Sequence, residues 1–139
     1  MNHRPWRESF DIDGAKHGKT PIPTGTRVGN MLFSSGIMGA DPATGELPAQ
    51  VDAQVAFAFR NMDALLAAAG ASLGDVGKMT VFVTDPSTRA LVNREWLARF
   101  PDQHDRPARH TIVKELAGGM LVQLEIIAVI QSQGTAPGR

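Results

Sequence analysis

The sequence predicts an α+β domain, in which a mixed β-sheet of about six strands carries two helices on one face. Segments that alternate apolar and polar residues, as strands do, surround two segments whose apolar residues recur every three or four positions, as in helices. Their order is β-β-α-β-α-β-β, and a strand, a helix and a further strand indicate one parallel pair. The 139 residues make one domain, spanning 1–139, the default expectation.

The N-terminal part predicts little regular structure before two short strands. Residues 1–20 are expected to be irregular, with SFDID as a possible edge strand, and GAKHGKTPIPTG is a loop because glycine and proline interrupt it. TRVGNMLFSSGI then predicts either two short strands or one strand with a kink at Gly29 and Asn30. DPATGE predicts a turn.

Two helices flank a central strand. The first is expected to begin at a cap formed by Asp52 or the residue before it and to end at Gly70. Its apolar stripe consists of Val55, Ala58, Phe59, Met62, Leu65, Leu66 and Ala69. KMTVFVTD alternates and predicts the strand. Pro86 and Ser87 open the second helix, whose apolar face consists of Leu91, Val92, Trp96 and Phe100.

The last part of the chain predicts a closing β-hairpin made of PARHTIV and LVQLEIIAVI, followed by a flexible tail at residues 131–139. Two helices at this spacing can cover only one face of the sheet. Because the other face also carries many apolar side chains, another copy of the protein is its natural cover.

Composition excludes several classes of function. Fourteen basic residues balance fourteen acidic ones, so net charge favours neither nucleic acid nor a membrane surface as a partner. The chain has no cysteine, which excludes disulfides and thiolate chemistry. No stretch approaches the length of a membrane span and no signal peptide is apparent, so a cytoplasmic location is expected. The four histidines do not fall at metal-ligand spacing, and no metal or cofactor is expected.

Arg109 and Glu125 are the conspicuous charges of the closing hairpin. Alternation places Arg109 and Thr111 on one face of the first strand and Gln123 and Glu125 on one face of the second, and a hairpin could bring the two sets together. One interpretation is structural: a salt bridge within the hairpin, or a charge at the rim of the sheet. The other is an arginine that grips a ligand carboxylate through two hydrogen bonds, beside a carboxylate that handles water.

Four further residues, Ser34, Ser35, Gly36 and Asn93, are candidates for a site. Ser34 and Ser35 could supply a nucleophile, but no base is placed near them in the sequence, and a Ser-Ser-Gly strand end is common. Gly36 would let a ligand approach the backbone closely. Asn93 is a poor helix former, so it is either an exposed residue of the polar face or a hydrogen-bonding group of a site.

Several motifs in the same order and spacing resemble the Rid family of reactive-intermediate deaminases, RidA/YjgF-like proteins of which some were once labelled L-PSP endoribonucleases. The resemblance covers residues from about Arg27 to Ile130. Its motifs are VGNMLFSSGI, DPATGELP, AAAGASLGDVGKMTVFVTD, VNREWLARF, RPARHTIV and LVQLEIIAVI.

The resemblance implies a chorismate-mutase-like fold, a homotrimer with sites between subunits, and cofactor-free hydrolysis of 2-imino or 2-enamino acids to 2-keto acids and ammonia. It assigns the grip on the substrate carboxylate to Arg109 and the positioning of the attacking water to Glu125. It places Ser35 and the backbone of Gly36 in the pocket, and Asn93 where the family often has an asparagine. Thr111, on the face of Arg109, is the remaining candidate for substrate binding.

One departure from the family pattern concerns the loop before the first core strand. Deaminase members usually carry Gly-Pro-Tyr there, whereas this chain has Ile22 in place of the tyrosine and contains no tyrosine at all. Ile37 likewise stands where glutamine often follows Ser-Gly. The pocket is therefore expected to be more apolar. A trimer that binds a small carboxylate as sensor or carrier, without catalysis, is the alternative function; balanced charge argues against a ribonuclease.

Overall fold

The computed structural model describes residues 4–131, so residues 1–3 and all but the first residue of the predicted tail lie outside the described part. The helices are α1 (Val51–Ala68) and α2 (Arg89–Arg99). The strands are β1 (Arg7–Phe10), β2 (Gly25–Val28), β3 (Met31–Ser34), β4 (Ile37–Met38), β5 (Val76–Val83), β6 (Ala108–Val113) and β7 (Val122–Val129). The predicted fold class is confirmed, with seven strands instead of about six.

Two strands were not fully anticipated. The edge strand predicted from SFDID is present in part: β1 contains Ser9 and Phe10 but begins at Arg7, and it pairs with β2 in antiparallel orientation at the edge of the sheet. TRVGNMLFSSGI forms two strands, the first of the two predicted alternatives, joined by a tight turn at Gly29 and Asn30. Gly29 has a φ of 60°, a conformation that hairpin turns of this length require and glycine adopts without strain. β4 is too short to show any alternation in the sequence.

The strand order is β1-β2-β3-β7-β5-β6, and β4 also pairs with β7. β5 and β6 are parallel, as the β5-α2-β6 crossover predicted. The predicted closing hairpin is wrong, because β5 lies between β6 and β7: Val83 pairs with Val113 on one side and with Val122 on the other. The crossover fixes β6 beside β5, and the link over residues 114–121 then carries the chain to the opposite side of β5.

The core lies between one face of the sheet and the two helices. All seven residues of the predicted α1 stripe are buried, together with Met79, Val81 and Val83 of β5. Burying each large apolar side chain stabilises the fold by about 1.5–3 kcal/mol. Gly70 ends α1 as predicted, with a φ of 76°. The predicted cap at Asp52 or Val51 is wrong: the N-cap is Gln50, and Asp52 lies in the first turn.

Two buried polar residues of α1 fasten the loops around the sheet. Gln54 donates to the carbonyl of Gly119 and accepts from the amide of Leu121, which fixes the entry into β7. Asn61 donates to the carbonyls of Gly14, Met38 and Ala40. These bonds pair backbone groups that burial would otherwise leave without a partner. Each buried group left unpaired would destabilise the fold by about 1–3 kcal/mol.

The opposite face of the sheet remains open. Phe33 is 39% exposed, Ile127 39% and Val129 48%, and Phe33 and Ile127 are direct cross-strand neighbours. Contiguous apolar surface of this kind typically marks an interaction site. Within residues 4–131, no helix has the length and apolar character needed to cross a membrane.

Candidate functional site

Arg109 lies on β6 and points to the side of the sheet that carries the helices. Its guanidinium group stacks on the buried ring of Trp96, with its central carbon 5.0 Å from the ring centroid. Its Nη2 donates a hydrogen bond of 2.6 Å to Oδ1 of Asn93. Burial, followed by the positive charge of Arg89, lowers the pKa of Arg109 below its ordinary value. The group is thus held in one orientation, while its other N–H donors remain available to a ligand.

Asn93 and Thr111 share this location. Asn93 is exposed on α2, as one interpretation predicted, yet its side chain also makes the site's hydrogen bond to Arg109. Thr111 follows Arg109 by two residues, so it projects from the same face of β6, and it is half-buried. Arg109, Asn93 and Thr111 therefore form one group, which we call the arginine group.

Glu125 does not join the arginine group. It lies on the open face of β7 opposite Thr80, whereas Arg109 lies opposite Met79, which faces the core. With β5 between their strands and their side chains on opposite faces, the two charges cannot meet within one chain. The predicted salt bridge within a hairpin is therefore wrong, and Glu125 makes no ion pair within residues 4–131.

The remaining candidates lie near the end of β3. The backbone amide of Ser35 donates to the carbonyl of Thr24, which ties the Ser-Gly segment to the preceding loop. Ile22, in that loop, is 44% exposed and lines an open cleft of about 490 Å³ that His17 also lines. Gly36 follows Ser35 directly. We call Ile22, Ser35 and Gly36 the glycine group.

Gln123 is the residue that sequence reasoning missed. Its side-chain amide occupies the space where a Cβ at position 36 would lie, so a larger residue there would force the Gln123 side chain to move. It shares the open face of β7 with Glu125, two residues away. The alternation of LVQLEIIAVI placed Gln123 on that face, but only the charged Glu125 was assigned a role in the site. The contact of Gln123 with Gly36 could not be predicted, because it depends on β4 pairing with β7.

The two groups lie far apart in one chain. Going from β4, beside Gly36, to β6, which carries Arg109, crosses β7 and β5. Three strand spacings amount to about 14 Å. A small ligand cannot contact both groups of one copy, so a site that uses both must take them from different copies. Within residues 4–131, no group of three or more His, Asp or Glu residues is arranged to hold a metal ion.

Comparison with known proteins gives a consistent result. The profile of the family described as endoribonuclease L-PSP matches residues 20–130. A putative reactive intermediate deaminase, TdcF of Escherichia coli K12, is 39% identical over 112 residues, which cover 78% of this chain and 86% of TdcF. The 2-iminobutanoate/2-iminopropanoate deaminase of the same strain is also 39% identical, over 111 residues that cover 78% of this chain and 87% of the relative.

Solved structures agree with the sequence matches. The YjgF gene product of E. coli superposes with a TM-score of 0.78 at 34% identity, covering 89% of this chain and 99% of that one. E. coli TdcF with bound serine gives a TM-score of 0.77 at 34% identity, with the same coverage of 89% and 99%.

Proposed function

The chain belongs to the endoribonuclease L-PSP family, which includes the RidA/YjgF proteins, and we propose that it hydrolyses 2-imino or 2-enamino acids to 2-keto acids and ammonia between subunits of a homotrimer. The observation that carries the proposal is the fixed orientation of Arg109, whose guanidinium group stacks on Trp96 and donates a hydrogen bond to Asn93. The relatives named as deaminases support the reaction class.

Arg109 is the proposed carboxylate anchor. Its planar fork matches the two oxygens of a carboxylate, and stacking on Trp96 restricts its rotation. An imine carbon is already electrophilic, so the protein has to supply position more than activation. Holding the substrate at its carboxylate and a water at the imine carbon converts a diffusional encounter into an oriented attack. Water adds to the C=N bond, and the resulting carbinolamine expels ammonia to leave the ketone.

The attacking water requires a polar group on the other side of the substrate. Glu125 is the proposed base, because on the open face of β7 only its carboxylate can accept a proton. Gln123 lies against Gly36 and is the proposed partner that orients the water, since an amide can accept a hydrogen bond but not a proton at neutral pH. Both side chains would face the arginine group of a neighbouring copy.

The assembly proposal rests on two independent features. The open face exposes Phe33, Ile127 and Val129, and the two halves of the proposed site lie at separate places on the sheet. One contact between copies would cover the open apolar face and would also bring the two halves of the site together. Closed symmetry, in which every open face is covered, is the usual state of homo-oligomers. The number of three copies is the one that the resemblance to the RidA/YjgF proteins implies.

A trimer that binds a small carboxylate without turning it over is the second candidate. It is favoured by Gln123, because the side chain against Gly36 is a neutral amide, and by Ile22 in the place of the family's tyrosine. Arg109 would then be needed for binding while Glu125 would be dispensable.

The deciding experiment measures ammonia release from 2-imino acids that an amino acid oxidase generates in the assay. Wild type should accelerate release, and Arg109→Ala should remove most of the acceleration. If wild type accelerates none of a series of imino acids yet binds the corresponding 2-keto acids by calorimetry, the binding trimer replaces the deaminase.

A further inference from the structure

Three residues of α2 form a stripe beside Arg109. Arg89 is the first residue of α2 and Asn93 follows four positions later, which makes the two neighbours on the helix surface. Trp96, a further turn along, lies on the same stripe. Arg109 contacts Asn93 through a hydrogen bond and Trp96 through its ring. Arg89 therefore lies next to the proposed carboxylate anchor.

Arg89 has no partner that explains its position. It is exposed, and among the described residues it forms neither an ion pair nor a side-chain hydrogen bond with another residue. Its charge also acts on the anchor, because it contributes to the lowered pKa of Arg109. Two neighbouring guanidinium groups repel each other when the site is empty. A ligand with two negative groups relieves that repulsion, whereas one carboxylate neutralises only half of it.

We propose that Arg89 binds a second acidic group of the substrate, so that the site prefers four- or five-carbon dicarboxylates among 2-imino and 2-enamino acids. This proposal rests on the deaminase function and names its substrate class. Arg109 holds the carboxylate next to the imine carbon, and Arg89 holds the distal carboxylate. Arg89 lies one helical turn from Asn93, to which Arg109 is hydrogen-bonded, so a short carbon chain between the two carboxylates suits both arginines.

Arg89 and Ile22 lead to opposite expectations for the substrate side chain. Ile22, in the place of a tyrosine, led to the expectation of apolar substrates. Arg89 stands beside the anchor within the same copy, whereas Ile22 belongs to the glycine group, which a neighbouring copy would have to supply. The end of the substrate side chain accordingly meets Arg89, and Ile22 contacts the remainder of the pocket.

The test compares substrates that match in shape and differ in charge. The imino acids derived from aspartate and glutamate are measured against those derived from asparagine and glutamine. We expect wild type to favour the acids over the amides by about 10- to 100-fold in kcat/KM, the range for hydrogen bonds to a charged group. Arg89→Gln should reduce this ratio to near one, and Arg89→Lys should restore part of it.

Arg94→Gln is the matched control, because Arg94 is exposed on the same helix and outside the stripe, and it should keep the wild-type ratio. If wild type shows no preference for acids, or if Arg89→Gln lowers the rates for acids and amides equally, the proposal is overturned while the deaminase function stands.

Product binding separates the two proposals if no imine is turned over. Calorimetry then compares 2-oxoglutarate with 2-oxohexanoate. The absence of turnover overturns the deaminase, and tighter binding of 2-oxoglutarate that Arg89→Gln abolishes would still support the second anion site. Equal binding of the two, or no binding of 2-oxoglutarate, would overturn the role of Arg89.

Discussion

Replacing Arg109 tests the carboxylate anchor directly. Arg109→Ala removes the group that Trp96 and Asn93 hold in place, and Arg109→Lys keeps the charge but loses the fork and the flat stacking surface. The measured quantity is the affinity for 2-oxobutanoate, a stable 2-keto acid with an uncharged side chain.

The expected loss of binding free energy follows from the hydrogen bonds that each substitution removes. A hydrogen bond to a charged group contributes about 1.5–3 kcal/mol, and the half-buried, oriented guanidinium is expected to make a bidentate pair. Arg109→Ala should therefore cost about 3 kcal/mol, which is on the order of a 100-fold increase in Kd. Arg109→Lys retains one charged contact, and its cost should be near half of that, or roughly 10-fold in Kd.

Isothermal titration calorimetry measures both affinities, and Arg94→Ala controls for the loss of one positive charge from this part of the surface. Sedimentation and thermal unfolding check that each variant still assembles and folds, since the contact with Trp96 itself contributes about 0.5–2 kcal/mol. If folded, assembled Arg109→Ala binds 2-oxobutanoate within twofold of wild type, Arg109 does not hold the carboxylate.

Three further predictions concern assembly, the water and the pocket wall. Sedimentation equilibrium should give about three times the chain mass of 14.9 kDa, and Phe33→Glu or Ile127→Glu should yield monomers; a monomeric wild type would contradict the trimer. Glu125→Gln should lower kcat by about 10²-fold or more, and Gln123→Glu should raise it if the water lies beside Gln123; an unchanged kcat in Glu125→Gln would remove Glu125 as the base. Ile22→Tyr should raise kcat more than it changes KM, and an unaltered rate and substrate order would show that Ile22 does not line the site.

Local patterns allowed much of the fold to be predicted. The stripe from Val55 to Ala69 has a helical period, and Gly70 can adopt the positive φ that ends a helix, so both signals lie within one short segment. The parallel pair β5–β6 followed from the crossover helix. The pairing of β7 did not follow, because consecutive strands suggest a hairpin and nothing local in residues 114–121 shows that the chain passes to the other side of β5.

In the site, too, local signals could be predicted from the sequence and long-range contacts could not. Asn93 was a candidate because asparagine is unfavourable within a helix, and its bond to Arg109 agrees with a functional role. Gln123 was missed because its significance lies in Gly36, a residue 87 positions earlier in the chain. Arg89 was not a candidate because one arginine at the start of a helix is ordinary, and its proposed role depends on the position of Arg109 beside the same helix.

The strand order separates the two halves of the proposed site within one copy. Arg109 lies on the edge strand β6, and Gly36 lies at the junction of β3 and β4, beyond both β5 and β7. A single copy carries both halves of the proposed site, but they lie too far apart for one small ligand to contact both. If a substrate binds between two copies, it stabilises the assembly by RT ln(1 + [L]/Kd) for each site. We therefore expect dilution of the protein to weaken carboxylate binding even though Trp96 and Asn93 still hold Arg109.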